Sequence, residues 1–348
     1  MTVSLPLFAG LAAFVVAIVA SYVAILALRP LLRRYALARP NARSSHREPT
    51  PQGGGIAVVG VAVALMVLTP LVLDSLTAET VRQLDAVIGA TLLLAIAGTV
   101  DDIRGLGALP RLALHIVAVG IMLMALPAQL RLVPALPFAV ERALLLLATV
   151  WFINLVNFMD GIDWITAAEV VPVCAGLVIA GTCGALPPLG LLTATVLAGA
   201  MLGFVPFNRP IATLFLGDVG SVPIGLIVAW LLIVLAGSGH FAAALLLPLY
   251  YLADATITLA RRLVRGEKIW EAHRSHFYQR ATVNGLTVRG IVGRVFAVNV
   301  CLVALATMTI LWRSTATDIA GLVLGAVLVG SLLYRFARPA KPVSATPS

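Results

Sequence analysis

Apolar segments of about 20 residues, long enough to cross a bilayer as helices, recur along the whole chain. They lie near 5–28, 53–73, 86–100, 111–127, 141–158, 164–181, 188–205, 221–236, 241–260, 290–312 and 318–335. The pattern predicts an all-α polytopic membrane protein of about eleven transmembrane helices, with its N-terminus outside and its C-terminus cytoplasmic. No polar stretch is long enough for a separate soluble domain. Residues 1–348 therefore read as a single membrane domain, with 336–348 as a disordered cytoplasmic tail.

Composition agrees with this reading. Hydrophobic residues make up 61% of the chain and charged residues 11%, less than half of what a soluble domain carries. The net charge of +9 could point to nucleic acid, but its distribution excludes that. Six arginines lie between Arg29 and Arg47 in the first loop, and seven basic residues between Arg261 and Arg289 in the last. Only Arg82, Arg131, Arg142 and Arg313 fall on the opposite face. This asymmetry is the positive-inside signature, so the charge reports orientation in a lipid bilayer. The first span has its arginines after it and none before it, which argues against a cleaved signal peptide. Cys174, Cys183 and Cys301 have no metal-ligand spacing and read as small core residues.

The chemistry lies in the short polar stretches between spans. The segment from Asn154 to Asp163 presents Asn154, Asn157, Asp160 and Asp163 at steps of three, directly after an apolar run. On a helix the first three share a surface, and Gly161 then stops the helix, leaving Asp163 on a turn or at the next helix start. Oxygen-rich side chains converging at a membrane edge suit a hard divalent cation, magnesium above all, carrying a phosphate substrate. Asp101 and Asp102 end the third span. Adjacent carboxylates near hydrocarbon need a cation or proton to manage, and neighbours about 100° apart on a helix have different tasks. Asp218 stands between Gly217 and Gly220 just before a span, where free backbone amides form an anion site and a carboxylate can hold a metal.

The basic elements are less specific. His46 belongs to a first loop ending in Gly53, Gly54 and Gly55, which reads either as a lip for phosphates or as tight helix packing. His115 reads as a histidine satisfied by a neighbouring helix. Asp254, inside a span, is either a functional carboxylate or one half of a structural pair. His273, His276 and Arg280 would share a helical face suited to phosphate. In this topology Asp101/Asp102, Asp160/Asp163, Asp218 and His273/His276 fall in four different cytoplasmic loops, which predicts one shared site.

The order of these motifs resembles the polyprenyl-phosphate N-acetylhexosamine-1-phosphate transferases, or glycosyltransferase family 4 (MraY/WecA type), over nearly the whole chain. The matching elements are the glycine-rich first loop, Asp101-Asp102-x-x-Gly-Leu, Asn154-x-x-Asn-x-x-Asp-Gly-x-Asp163, Phe215-x-Gly-Asp-x-Gly-Ser221 and the final histidine motif. The resemblance implies a bacterial inner-membrane enzyme with a cytoplasmic magnesium site, in which manganese could substitute. It would move a sugar 1-phosphate from a UDP-sugar to undecaprenyl phosphate and release UMP. Carried onto this chain, Asp218 with Asn157 would hold the metal, and Asp101 and Asp102 would be catalytic. Asn154, Asn157, Asp160 and Asp163 would position nucleotide and metal, while His46, His273, His276 and Arg280 would hold phosphates.

The motif His273-Arg-Ser-His-Phe-Tyr-Gln-Arg280 looks like the branch that starts O-antigen or other surface polysaccharides, which favours UDP-GlcNAc or a 6-deoxy relative as donor. The peptidoglycan phospho-MurNAc-pentapeptide transferase is the nearest alternative, and a homodimer is compatible with the sequence without being specified by it. Trp164, where related chains carry glycine, and Gln52, where they carry a basic residue, depart from the pattern. A polyprenyl pyrophosphatase and a secondary transporter are rival classes. The transporter is disfavoured by the lack of an internal repeat and by acidic motifs at one face instead of the midplane.

Overall fold

The computed structural model describes residues 7–38, 49–73, 76–267 and 274–339. His46 and His273 lie outside the described residues, as do residues 340–348 of the expected tail. The helices in chain order are α1 (Leu7–Tyr35), α2 (Gly55–Val67), α3 (Ala78–Arg104), α4 (Ala108–Met124), α5 (Phe138–Met159), α6 (Ile165–Thr182) and α7 (Pro188–Phe204). After them come α8 (Asp218–Gly237), α9 (Phe241–Leu246), α10 (Leu249–Val264), α11 (Phe277–Val283), α12 (Val288–Leu311) and α13 (Thr315–Ala337). A two-stranded antiparallel ribbon, β1 (Leu37–Ala38) with β2 (Thr50–Pro51), closes the first loop.

Seven of these helices (α1, α3, α5, α6, α8, α12 and α13) are long and apolar enough to cross a membrane, and α2, α4 and α7 are shorter apolar helices. The expected span at 241–260 is instead two helices, α9 and α10, broken around Pro248, because proline has no N–H for the ladder and clashes with the preceding turn. The segment 127–137 forms turns, and α5 begins at Phe138. Among the cysteines only Cys174 is buried. Cys183 and Cys301 are exposed, so the expected core role holds for one of the three.

The bundle is built around α8. Its sequence is apolar on every side, the mark of a helix surrounded by others, and its apolar stretch is buried throughout. It packs against α2, α3, α5 and α9. With no hydrophobic driving force between helices in lipid, close packing depends on small residues that let backbones approach. Here glycines do that work. A Cβ at Gly98 of α3 would stand 2.6 Å from the backbone of Asp218, and one at Gly55 of α2 only 2.2 Å from Gly220 Cα. Gly199 and Gly203 of α7 meet the backbone of α1 in the same way.

Main-chain bonds fix the end of the first loop. Gly54 N and Gly55 N donate to the carbonyls of Phe215 (2.9 Å) and Leu216 (2.8 Å), and Phe215 N donates to Pro51 O (2.9 Å). The glycine run therefore packs against the segment leading into α8, as the helix-packing reading expected. Gln52 is part of the same seam, its side-chain amide donating to Asp102 O at 2.7 Å.

The packing predicts opposite outcomes for two alanine substitutions on α3. Gly98→Ala forces α3 from α8 and should cost about 1–3 kcal/mol as an overpacked contact. Gly89→Ala, where nothing lies within 4 Å of the added methyl, should be neutral or stabilising by up to about 1 kcal/mol. Thermal unfolding of the two variants in detergent checks the contrast, and equal melting temperatures would refute it.

Candidate active site

The site begins where α3 ends and α8 starts. A helix start leaves amides without intrahelical partners. Asp102 supplies them from another helix: its Oδ1 accepts from Asp218 N (3.0 Å) and its Oδ2 from Val219 N (3.1 Å). Gly217, with φ 78°, permits the turn into α8 and leaves room for this carboxylate, since a Cβ there would stand 2.5 Å from Asp102 Oδ2. Asp101, one residue earlier, points elsewhere. It accepts from Leu106 N and pairs with Arg111 Nη1 at 3.1 Å. The same guanidinium nitrogen lies 3.7 Å from Asp218 Oδ2, so Arg111 offsets the charge of both carboxylates.

The adjacent aspartates thus have separate tasks, as the helical offset anticipated. Arg111 was not singled out by the sequence reading. The available signal was a cation on the first turn of an apolar helix, ten residues after a paired carboxylate.

From α5, Asn157 completes this centre. Its Nδ2 donates to Asp218 Oδ1 (2.7 Å) and to Ser221 Oγ (3.0 Å). Asn154, one turn deeper, bonds to His115 Nδ1 (3.2 Å) and to Val150 O (2.7 Å). His115 is thereby satisfied by a neighbouring helix, and Asn154 braces α4 against α5.

Beyond the end of α5 the chain turns through Asp160 to Asp163. Asp160 Oδ1 accepts from the Thr166 hydroxyl at 2.5 Å. Burial pushes the Asp160 carboxyl up to about 6 despite that bond, and the nearby charges of Asp102 and Asp163 add to the shift. Asp163 is buried, and its Oδ2 accepts from Ala212 N at 3.0 Å, which fastens this turn to the segment before α8. Trp164 takes the left-handed conformation, with φ 66°, where glycine is the unstrained residue. Two bonds hold it there, from its backbone N to Asn208 Oδ1 (2.6 Å) and from its indole Nε1 to Val205 O (2.8 Å). Trp164 therefore stands in a backbone conformation that favours glycine, held there by its own main-chain and indole hydrogen bonds.

His276 belongs to a second cluster. It is 2% exposed, and its Nδ1 lies 3.2 Å from Asp254 Oδ1. Asp254, fully buried, also accepts from Phe277 N (2.9 Å) and Tyr278 N (3.1 Å), so it caps α11. Of the two readings of Asp254, the structural pair is the one observed. Tyr278 links this cluster to the first: its hydroxyl donates to Phe158 O at 3.0 Å, in space that a side chain at Gly161 would occupy. Arg280 is exposed and lines a cavity of about 320 Å³ with Thr258, Arg261, Arg265 and Arg274. The sequence expectation of one shared centre becomes, among the described residues, an acidic centre and a basic cavity on adjoining elements.

Among the described residues no three His, Cys, Asp or Glu side chains converge on one point to hold a metal alone. The oxygens at hand are the carboxylates of Asp101 and Asp218; Asn157 turns its amide N–H to Asp218, so its Oδ1 would join them only with the amide rotated by half a turn. That set fits magnesium, which typically takes one or two carboxylates and completes its shell with water and substrate phosphate.

With this geometry in view, the kinship is specific. Residues 84–236, which contain the whole acidic centre, match the family described as Glycosyl transferase family 4. The decaprenyl-phosphate N-acetylglucosaminephosphotransferase of Mycolicibacterium smegmatis is 36% identical over 215 residues, which cover 56% of this chain and 52% of that protein. The protein of the same name from Mycobacterium leprae is 30% identical over 295 residues, 75% of this chain and 73% of its own length. A phospho-N-acetylmuramoyl-pentapeptide-transferase from a Mycobacterium species is 30% identical over 226 residues, 52% of this chain and 62% of that one. The chain belongs to glycosyl transferase family 4 and is a multi-pass membrane protein of the kind that transfers phosphosugars to polyprenyl phosphates.

The cap predicts a graded stability effect. Asp102→Ala leaves two amides without acceptors and should destabilise by about 1–3 kcal/mol, whereas Asp102→Asn keeps one acceptor oxygen and should lose roughly half as much. Thermal melts of both variants check this, and an unchanged melting temperature for Asp102→Ala would remove Asp102 from the cap.

Proposed function

We propose that this chain transfers an N-acetylhexosamine 1-phosphate from a UDP-sugar to undecaprenyl phosphate, releases UMP, and so starts a lipid-linked cell-envelope polysaccharide such as O-antigen. The observation that carries this reading is the gathering of Asp101, Asp218, Asn157 and Arg111 at the start of α8, at one end of the bundle. In the proposed orientation that end faces the cytoplasm of a bacterial inner membrane, because the basic loops lie there.

The nucleophile would be an oxygen of the lipid phosphate, already largely ionised at neutral pH because its second pKa is near 6. The reaction therefore asks for positioning and charge neutralisation more than for a strong base. The new bond joins that oxygen to the phosphorus bearing the sugar, and the bond from that phosphorus to UMP breaks. Asp218 with Asn157 would hold magnesium, or manganese in its place, and the bound ion would neutralise charge on the diphosphate. Asp101, paired with Arg111, would organise the incoming lipid phosphate. Asp160 and Asp163 would shape the nucleotide side, and the arginines around Arg280 suit the phosphates of the donor.

UDP-GlcNAc or a 6-deoxy relative is the favoured donor, supported by the final motif and by relatives named for N-acetylglucosamine. The similarity to phospho-N-acetylmuramoyl-pentapeptide-transferases favours UDP-MurNAc-pentapeptide as the second reading.

Three results test the proposal. Asp218→Asn should lower turnover by a factor of about 100 or more while leaving the melting temperature close to wild type; retained activity would remove Asp218 from the centre. Asp101→Asn should lower kcat more than it raises KM for the UDP-sugar, and a defect confined to KM would contradict its assignment to the acceptor. In a background with Cys174, Cys183 and Cys301 replaced by serine, Ser275→Cys in whole cells should react with a membrane-impermeant maleimide only after the cytoplasmic face is opened, and labelling from outside would invert the topology.

A further inference from the structure

A second cavity, also about 320 Å³, opens on the flank formed by α6, α7 and α12. Trp164, Val171, Leu202 and Phe296 are among its walls, and Arg289 is its one charged residue. Arg289 is on the first turn of α12, Trp164 just precedes α6, and Phe296 lies seven residues further along α12. The slot therefore runs about 10 Å from the Arg289 rim toward the bilayer interior.

The chemistry of the slot restricts its occupant. Water would find almost no polar partners along such walls. An extended peptide segment would bring backbone amides to a lipid-facing depth where they cannot be satisfied, and a helix, about 10–12 Å across with its side chains, is too wide for a slot of about 320 Å³. A hydrocarbon chain has neither difficulty. The rim then specifies the sign of the head group. Arg289 is exposed, one of its N–H groups reaches Pro210 O at 3.3 Å, and Arg209, also exposed, is adjacent to that proline in the chain. Arginine at this depth extends toward the interface and favours anionic lipid phosphate. The cavity is also separate from the acidic centre, because α3, α4, α5 and α8 contribute none of its walls.

We propose that this groove binds one acyl chain of an anionic phospholipid, with Arg289 on the lipid phosphate. The lipid would brace Trp164, whose backbone follows directly on Asp163, and so support the turn that carries that carboxylate.

The groove offers a clean way to fill it. Gly293 lines it, and a Cβ there meets nothing within 4 Å, so a side chain at this position starts in open space at the slot. Gly330 on α13 is equally open and exposed but lies away from the groove, which makes it the matched control.

The test is native mass spectrometry of the full chain, purified in mild detergent and offered equal phosphatidylglycerol and phosphatidylcholine. Wild type and Gly330→Phe should retain one phosphatidylglycerol in preference to phosphatidylcholine. Gly293→Phe should lose it by about tenfold, and Arg289→Gln should lower the preference by about fivefold with both lipids still binding. Melting temperatures near wild type confirm that the variants are folded. Three results would overturn the proposal: no retained lipid in wild type, equal retention by Gly293→Phe, or one-for-one displacement of the phosphatidylglycerol by undecaprenyl phosphate, which would give the groove to the acceptor. The readout is lipid occupancy, so it stands or falls independently of the transferase reading.

Discussion

The working end of this protein depends on the Asp102 carboxylate accepting the first two amides of α8. A helix buried along its apolar length still has to satisfy the donors at its start, and near hydrocarbon water is scarce. Asp102 meets that need from a different helix. Such a carboxylate at a helix N-terminus contributes on the order of 1–2 kcal/mol. It also draws the end of α3 against α8 at the glycine contact of Gly98. Because Asp101 is the next residue, fixing Asp102 turns Asp101 outward to Arg111, opposite Asp218. One capping interaction thereby brings Asp101 and Asp218 to the same guanidinium, the pairing on which the proposed chemistry rests.

Charge is divided between two neighbouring regions. The acidic region at α3, α5 and α8 can take a cation and, through it, phosphate oxygens. The basic cavity at α10 and α11 can take phosphate directly. Tyr278 joins them, with its backbone N bonded to Asp254 and its hydroxyl to the end of α5. The proposed diphosphate donor and monophosphate acceptor would suit such a division, since an acidic region without a cation would repel a polyanion.

Much of this was legible in the sequence, and what was not has identifiable causes. Apolar run length predicted the helices, and the recurrence of oxygen-bearing residues at one end of successive spans predicted the acidic centre. The offset of neighbours on a helix anticipated that Asp101 and Asp102 would diverge. What it could not supply was the partner of each. Asp102 bonds to amides 116 and 117 residues away, and Asn154 proved to serve His115. Arg111 passed as an ordinary flanking cation because only the folded turn between α3 and α4 brings it back to Asp101. The break in α9–α10 was signalled by Pro248, but hydropathy averages over a single proline. The left-handed backbone at Trp164 was signalled only indirectly, by the resemblance, whose pattern expects glycine there.

The most direct measurement is the fate of the lipid when purified protein is given undecaprenyl phosphate, magnesium and a panel of UDP-N-acetylhexosamines. The account predicts a polyprenyl diphosphate sugar formed with one donor, in equal amount to UMP and only with lipid and metal both present. UMP or UDP released without a sugar-bearing lipid, or no product from folded protein across the panel, would contradict it.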